Sequence, residues 1–86
     1  MLKLGVIMAN EYVLYYKPEC PYCQKVLAFL EEAKLELPMK NIHEGTNQQD
    51  LINIGGKKQV PCLIINGEAL YESDDIIKFL KENEVK

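Results

Sequence analysis

Two cysteines at the start of a predicted helix constrain this chain more than any other feature. Residues 12–16 are rich in β-branched and aromatic side chains, which predicts a buried first strand. A Cys-Pro-Tyr-Cys motif at 20–23 follows a short break. Cys20 stands at an N-cap position, and Pro21 takes the first helical position, where its missing N–H costs no hydrogen bond. The spacing of the next apolar residues predicts a helix over 21–34; they are Val26, Leu27, Leu30 and Ala33.

The middle of the chain predicts three further elements. Residues 38–42 predict a short second strand. Thr46 and Gln49 match a capping box, and Gly55-Gly56 supplies a stop, so a short second helix is predicted between them. Residues 60–65 predict a third, apolar strand.

The end of the chain predicts a hairpin and a last helix. Asn66-Gly67 is a strong two-residue turn signal and leads into a fourth strand over 68–71. Ser73 is predicted to cap the last helix, whose first turn carries Asp74 and Asp75. The resulting order, β-α-β-α-β-β-α, predicts an α/β fold with a four-stranded mixed sheet and flanking helices.

The composition is that of one small globular domain. With 48% hydrophobic and 27% charged residues, the chain is expected to fold as a single domain over 11–86, preceded by an N-terminal extension or a lead-in to the first strand over 1–10. The net charge of −3 argues against nucleic acid or an anionic membrane as the main partner. No apolar run approaches the ~20 residues of a membrane span. Three cysteines, an odd number, favour a reducing compartment, so a cytoplasmic protein is expected. The protein is also expected to be a monomer.

The spacing of the first two cysteines suits thiol–disulfide exchange. Such exchange needs a reachable thiolate and a second thiol that resolves the mixed disulfide. Cys20 is the candidate nucleophile, because the helix N-terminus and the nearby Lys17 favour its charged form. Cys23, one turn inside the helix, is the candidate resolving thiol. The alternative is a zinc site in which Cys62 and His43 join the pair as ligands. Structural zinc is, however, usually bound by cysteines in tight loops, whereas this pair begins a helix.

A proline interrupts the predicted third strand. Pro61 removes a donor from the hydrogen-bond ladder, so it marks either the first residue of that strand or a cis peptide bond. Cys62 follows directly and is expected to be a small buried strand residue, with a regulatory or mixed-disulfide role as the alternative.

With the motif at 20–23, three further motifs make the chain resemble the glutaredoxin family of the thioredoxin fold, in its dithiol Cys-Pro-Tyr-Cys form. These motifs are Val60-Pro61, Asn66-Gly67 and Ser73-Asp74-Asp75, and the resemblance extends over 12–83. It implies that Cys20 is the nucleophile, that Cys23 resolves, and that Pro61 is a cis proline facing both cysteines. It also implies glutathione as co-substrate, with neither a tightly bound cofactor nor a metal.

The same resemblance implies a glutathione-binding groove. Glutathione carries two carboxylates and one ammonium, so lysines at one end and a helix N-terminus at the other suit it. The residues assigned to the groove are Lys17, Tyr22, Lys57, Gln59, Val60, Pro61, Ser73 and Asp74. Gln59 replaces the usual threonine of the family, and Tyr71-Glu72 replaces its usual Gly-Gly. Glu72-Ser73 is instead similar to the pair that binds the same carboxylate in the N-terminal domain of glutathione transferases.

The activity implied by the resemblance is that of a glutathione-dependent thiol–disulfide oxidoreductase, acting on protein disulfides and on protein–glutathione mixed disulfides. Two alternatives remain. One is a carrier of a [2Fe–2S] cluster ligated by Cys20 of two protomers and two glutathiones, although related carriers generally have Cys-Gly-Phe-Ser. The other is a redox protein reduced by thioredoxin reductase rather than by glutathione. Neither nucleic acid nor a membrane is expected as a partner.

Overall fold

The helices and strands follow the predicted order, β-α-β-α-β-β-α, in a computed structural model of the chain. The structure describes residues 11–84, so the predicted extension over 1–10 lies outside the described residues. The elements in chain order are β1 (Tyr12–Tyr16), α1 (Pro21–Ala33), β2 (Met39–Asn41), α2 (Asn47–Gly55), β3 (Cys62–Ile65), β4 (Glu68–Tyr71) and α3 (Ser73–Asn83).

The four strands described form one mixed sheet in the order β2-β1-β3-β4. β1 runs parallel to β2, with Leu14 aligned to Met39, and α1 supplies the crossover that a parallel pair needs. β1 is antiparallel to β3, where Leu14 stands opposite Leu63, and β3 is antiparallel to β4. The predicted fold class is therefore confirmed.

The alternation of side chains along the strands divides the core into two layers, one on each face of the sheet. α1 and α3 cover one face, and α2 covers the other. The buried residues under α1 and α3 are Tyr12, Leu14, Val26, Leu30, Leu63, Ile76 and Leu80. Those on the face of α2 are Tyr15, Ile42, Leu51, Cys62 and Ile64. Because α1 and α3 share one face, they contact each other along that face.

The predicted start of α1 is confirmed, and its end differs by one residue. Pro21 is the first helical residue and Cys20 is the N-cap, with an extended backbone at φ −82° and ψ 120°. The helix ends at Ala33 because Lys34 adopts the left-handed conformation, at φ 57°, and closes the last turn as C-cap. Within 11–84, none of the helices has the length and apolar character needed to cross a membrane.

The predicted capping box of α2 does not form. Thr46 is the N-cap, but its backbone lies at φ −99° and ψ 15°, and its side chain caps no amide. Instead, Thr46 Oγ1 donates to Asp50 Oδ2 at 3.2 Å, and Gln49 Nε2 donates to Asn53 Oδ1 at 3.0 Å. Pairs four residues apart on the helix surface have thus replaced the reciprocal cap.

The first residues of β3 and α3 differ from the prediction, whereas the hairpin turn is as predicted. β3 begins at Cys62 rather than at residue 60, because Val60–Pro61 is a cis peptide bond and proline has no N–H for the ladder. Ser73 is the first residue of α3 rather than its cap; the N-cap is Glu72. The Asn66-Gly67 turn has φ of 52° and 88°, the two positive values that a type I′ hairpin requires.

Candidate active site

The cysteine pair lies where β1 passes into α1. Cys20 Sγ accepts a hydrogen bond from the backbone N–H of Cys23 at 3.3 Å, so this thiol caps its own helix. The backbone N–H of Cys20 donates to the carbonyl of Lys17 at 3.2 Å, which closes the turn before the helix. Cys20 is 7% exposed and Cys23 is 0% exposed. The candidate nucleophile is thus less open than the sequence predicts, yet it is the one of the two that reaches the surface.

Strand register brings the distant segments of the site to this turn. Cys62 stands opposite Tyr15 of β1 on one side and opposite Tyr71 of β4 on the other. β1 and β4 therefore end at the same edge of the sheet, and α1 and α3 both begin there. The Val60–Pro61 bond directly precedes β3 at that edge. Two helix N-termini and a cis proline are thus gathered around Cys20, although the chain separates them by some forty to fifty residues.

The cis proline faces the cysteine turn. Val60–Pro61 is cis, which decides between the two possibilities that the sequence left open for Pro61. Cys20 Sγ lies 4.0 Å from the carbonyl oxygen of Val60. Because Val60 precedes the strand, its backbone groups are outside the β3–β4 ladder and stand beside the thiol.

Burial sets the ionisation of the second thiol. The pKa of Cys23 is raised to about 12, chiefly because the thiol is buried away from solvent, and also by a hydrogen bond and the charge of the Cys20 side chain. Lys17 acts in the opposite direction, through its backbone and its charge. The Cys20 side chain thus lies close enough to Cys23 to influence its ionisation, and thiol–disulfide exchange within a pair requires the two thiols to be close.

Cys62 is the third buried thiol, and it makes the stability of the fold depend on pH in the alkaline range. Burial raises the pKa of Cys62 to about 11, against about 9 for a free thiol, and burial likewise raises that of the adjacent Tyr71. Between these two values the thiol stays neutral in the folded chain but ionises in the unfolded chain. Its contribution to stability is therefore complete below pH ~9 and is lost as the pH rises through ~11, at up to about 1.4 kcal/mol per pH unit for one thiol.

We expect the Cys62→Ala variant to lose less stability than the wild type between pH 8 and pH 10.5. The measurement is urea unfolding at several pH values in a reducing buffer. Cys23 and Tyr71 still titrate in the variant, so the fall in the free energy of unfolding is expected to be smaller rather than abolished. Parallel curves for the two proteins would show that Cys62 does not contribute.

A groove of about 380 Å³ runs between the cis proline and the start of α3. Its lining combines residues from α1, from the segment before β3 and from the start of α3. The lining residues are Tyr22, Gln59, Val60, Pro61, Glu72, Ser73 and Asp74. Six of the eight residues that the sequence assigned to glutathione are thus brought together, and Glu72 is added. Tyr22 is 65% exposed and forms an open wall, whereas Ser73 is 6% exposed.

Glu72 narrows the groove and holds a disfavoured backbone conformation. Gln59 Nε2 donates to Glu72 Oε2 at 3.2 Å, so the two side chains meet within the groove. Glu72 has φ 76° and ψ 118°, a conformation that a residue with a Cβ rarely adopts and that glycine adopts freely. Non-glycine residues in such regions concentrate at functional sites, where the surrounding fold holds them.

We expect the Glu72→Gly variant to be more stable than the Glu72→Ala variant by about 1 kcal/mol. Both substitutions remove the carboxylate, but only glycine adopts the positive φ at this position without steric strain. The measurement is urea unfolding of both variants. The matched control is Glu32, exposed and within α1. There the order is expected to reverse, with glycine about 1 kcal/mol less stable than alanine. The same sign at both positions would contradict the assignment of strain to Glu72.

Lys17 and Lys57, the two cations assigned to glutathione, do not line the groove. Lys57 Nζ lies 5.2 Å from the ring centroid of Tyr71, as in a cation–π contact. The Tyr71 hydroxyl donates to the Lys57 carbonyl at 3.3 Å. Gly55 makes room for this ring, since a Cβ there would overlap the Tyr71 hydroxyl. Tyr71 thus anchors the segment that leads to the cis proline, a role that its place in the sequence does not indicate.

An ion pair at the rim of the groove was not predicted. Lys25 Nζ of α1 contacts Asp74 Oδ1 of α3, with side chains 50% and 80% exposed. The sequence places Lys25 on the polar side of α1, and only the packing of α1 against α3 shows what it meets. Asp74, which the sequence assigned to the glutathione groove, is therefore already paired with a cation.

The zinc alternative gains no support from the arrangement of side chains. His43 Nε2 lies 2.7 Å from Glu19 Oε2 on the surface, and both side chains are more than half exposed. Within residues 11–84, no three His, Cys, Asp or Glu side chains are grouped closely enough to hold a metal ion. The pKa of Glu19 is lowered, first by its own backbone hydrogen bond and then by His43.

The fold, together with a cysteine pair whose first member caps a helix, is typical of thiol proteins with the thioredoxin fold. Residues 14–86 match the family model described as glutathione S-transferase, N-terminal domain. A probable glutaredoxin of Acanthamoeba polyphaga mimivirus is 35% identical over 81 residues, which cover 80% of this chain and 76% of that protein. Glutaredoxin-1 of Saccharomyces cerevisiae is 31% identical over 90 residues, which cover 94% of this chain and 81% of that protein.

The structure is also similar to a glutathione transferase. The omega 3C glutathione transferase of Trametes versicolor superimposes with a TM-score of 0.72 at 30% identity, over 84% of this chain. This chain spans only 33% of the length of that transferase. The chain belongs to the thioredoxin-fold family of glutaredoxins and glutathione S-transferase N-terminal domains. At the general level it is a glutaredoxin-like thiol oxidoreductase.

Proposed function

We propose that this protein is a glutathione-dependent thiol–disulfide oxidoreductase that reduces protein–glutathione mixed disulfides and protein disulfides. The observation that carries the proposal is the position of Cys20. Its thiol caps α1, lies 4.0 Å from the Val60 carbonyl oxygen, and adjoins a groove that leads to the N-terminus of α3. The similarity to glutaredoxins supports the same reaction class.

The first step is attack by the Cys20 thiolate on the glutathione sulfur of a mixed disulfide. A Cys20–glutathione disulfide forms, the protein–glutathione disulfide breaks, and the target leaves as a thiolate that takes up a proton. A second glutathione thiolate then attacks the bound glutathione sulfur. Glutathione disulfide forms and Cys20 is released as a thiolate, so each turnover oxidises one free glutathione, which pairs with the glutathione from the mixed disulfide, and reduces one target sulfur.

A protein disulfide requires the second thiol. Cys20 attacks one sulfur of the disulfide, and Cys23 then attacks Cys20, which releases the reduced target and leaves a Cys20–Cys23 disulfide. Two glutathione molecules reduce that disulfide. The high pKa of Cys23 suits this order, because a buried neutral thiol does not compete with Cys20 for the substrate.

The groove supplies a consistent mode of binding. The backbone of Val60 faces the cysteinyl part of glutathione, and the γ-glutamyl end reaches Ser73 and Asp74, where first-turn N–H groups of α3 lack helical partners. The glycine carboxylate is assigned to Lys17 and Lys57, outside the groove lining. We place the protein in a reducing compartment, the cytoplasm, where the dithiol form persists.

The test compares reductants on one substrate. A glutathionylated peptide is supplied with NADPH and either glutathione plus glutathione reductase or thioredoxin reductase alone. Turnover is expected with the first system and at background level with the second. The reverse result would assign the protein to thioredoxin reductase, and no turnover with either would end the proposal.

Transfer of glutathione to an electrophile is a second candidate, favoured by the transferase family model and by the Glu72–Ser73 pair in the groove. A transferase would conjugate glutathione to 1-chloro-2,4-dinitrobenzene, and the rate of conjugation is measured at constant glutathione without a disulfide substrate. The oxidoreductase proposal predicts no conjugation above the uncatalysed rate.

A further inference from the structure

The charges that line the groove do not match glutathione. Among the described residues that line it, Glu72 and Asp74 carry carboxylates, and none is a lysine or arginine. Glutathione bound as a disulfide carries a net charge of −1, with two carboxylates and one ammonium. Like charges placed together oppose binding. A cation beside the first-turn N–H groups of α3 would therefore strengthen binding of the γ-glutamyl carboxylate, and the lining residues themselves supply none.

Lys25 is the cation at that end of the groove. It extends from α1 to the first turn of α3, where its ammonium contacts the Asp74 carboxylate. The two charges therefore stand side by side at the rim, one negative and one positive. The γ-glutamyl group has the complementary arrangement, because its α-ammonium and α-carboxylate are attached to the same carbon atom. Two adjacent opposite charges on the protein thus face two adjacent opposite charges on the ligand.

We propose that Lys25 is a specificity-determining residue that binds the α-carboxylate of the γ-glutamyl group while Asp74 binds the α-ammonium; the proposal rests on the proposed function. Lys25 and Asp74 are 50% and 80% exposed, and an exposed ion pair contributes little to folding. A ligand can therefore insert between them at low cost, and each charge exchanges one partner for another of the same sign. The site selects a free γ-linked amino acid end rather than an ordinary peptide.

The test uses three mixed disulfides of one model peptide, reduced by glutathione at a fixed concentration. The first contains glutathione, the second γ-aminobutyryl-Cys-Gly, which lacks the α-carboxylate, and the third glutaryl-Cys-Gly, which lacks the α-ammonium. We expect Lys25→Met to lower kcat/KM about five- to tenfold for the glutathione substrate. The loss is expected to persist for the glutaryl substrate and to fall below about twofold for the γ-aminobutyryl substrate.

Two further variants separate recognition from structure. Lys25→Arg keeps the positive charge and is expected to retain kcat/KM within about twofold. Lys81→Met makes the same change of charge at the other end of α3 and is expected to leave all three substrates within about twofold of wild type.

Three results would overturn the proposal. Equal losses for all three substrates would assign Lys25 a structural role. A loss that disappears only with the glutaryl substrate would mean that Lys25 merely positions Asp74. An unchanged kcat/KM for the glutathione substrate would exclude any role in recognition. Wild-type protein that turns over none of the substrates would instead overturn the proposed function itself, and this inference with it.

Discussion

Cys20→Ser is expected to lower glutathione-dependent disulfide turnover by about three orders of magnitude or more, because a serine hydroxyl is not ionised at neutral pH and forms no disulfide. The fold is expected to persist. Serine is a preferred N-cap residue, and its oxygen can accept the Cys23 N–H that Cys20 Sγ accepts in the wild type. The measurement is reduction of hydroxyethyl disulfide with glutathione, glutathione reductase and NADPH, with circular dichroism as the check on folding.

The matched control is Cys23→Ala, which removes the other thiol of the pair without burying a hydroxyl. Because a second glutathione can release glutathionylated Cys20, this variant is expected to keep turnover of a glutathionylated peptide within about threefold of wild type. It is expected to lose the reduction of protein disulfides that need an internal resolving thiol. A folded Cys20→Ser protein with wild-type turnover would contradict the proposed mechanism.

Leu63→Ala is expected to lower the free energy of unfolding by about 2 to 5 kcal/mol, the range for a leucine removed from a well-packed core. Leu63 is 0% exposed and lies in an inner strand, opposite Leu14 on one side and Leu70 on the other. It packs in the layer beneath α1 and α3, the two helices whose N-termini form the site. The measurement is urea unfolding in reducing buffer.

Two controls separate burial from loss of volume. Leu63→Met keeps most of the volume and is expected to cost less than about 1.5 kcal/mol. Ile54→Ala removes a similar amount of hydrocarbon from a side chain that is 44% exposed, and a change within about 0.5 kcal/mol is expected. Comparable losses at Leu63 and Ile54 would contradict the assignment of the core.

The helix that carries the cysteines could be predicted because its signals are local. Pro21 at the first helical position, Cys20 before it and apolar residues at helical spacing all act within one or two turns of the chain. The Asn66-Gly67 hairpin is equally local, since two residues with positive φ define it. The element order follows from such signals taken one after another.

Predictions were less reliable where a side chain has two possible hydrogen-bond partners close by in the chain. Thr46 and Gln49 have the residue types of a capping box, yet both bond to side chains four residues ahead. Ser73 is a good N-cap residue, yet the backbone turns one residue earlier, at Glu72. In each case the residue types permit two arrangements, and the packing around them selects one.

The resemblance indicated most of the groove lining, but it did not indicate which side chains the cations contact. Six of the eight assigned residues line the groove, whereas Lys17 and Lys57 do not, and Lys57 lies against Tyr71 instead. Long side chains have many rotamers, and their partners come from other elements. The pairing of Lys25 with Asp74, 49 residues apart in sequence, is of this kind.

The sequence by itself therefore determined the succession of elements, the cysteine turn at the start of α1 and the hairpin, because each is fixed by residues within a few positions of one another. The tertiary structure alone decided which charges meet at the groove, which residue holds the backbone at φ 76°, and how far Cys20 is covered. Those features depend on sheet register and on the packing of α1 against α3. Both join residues that no local pattern connects.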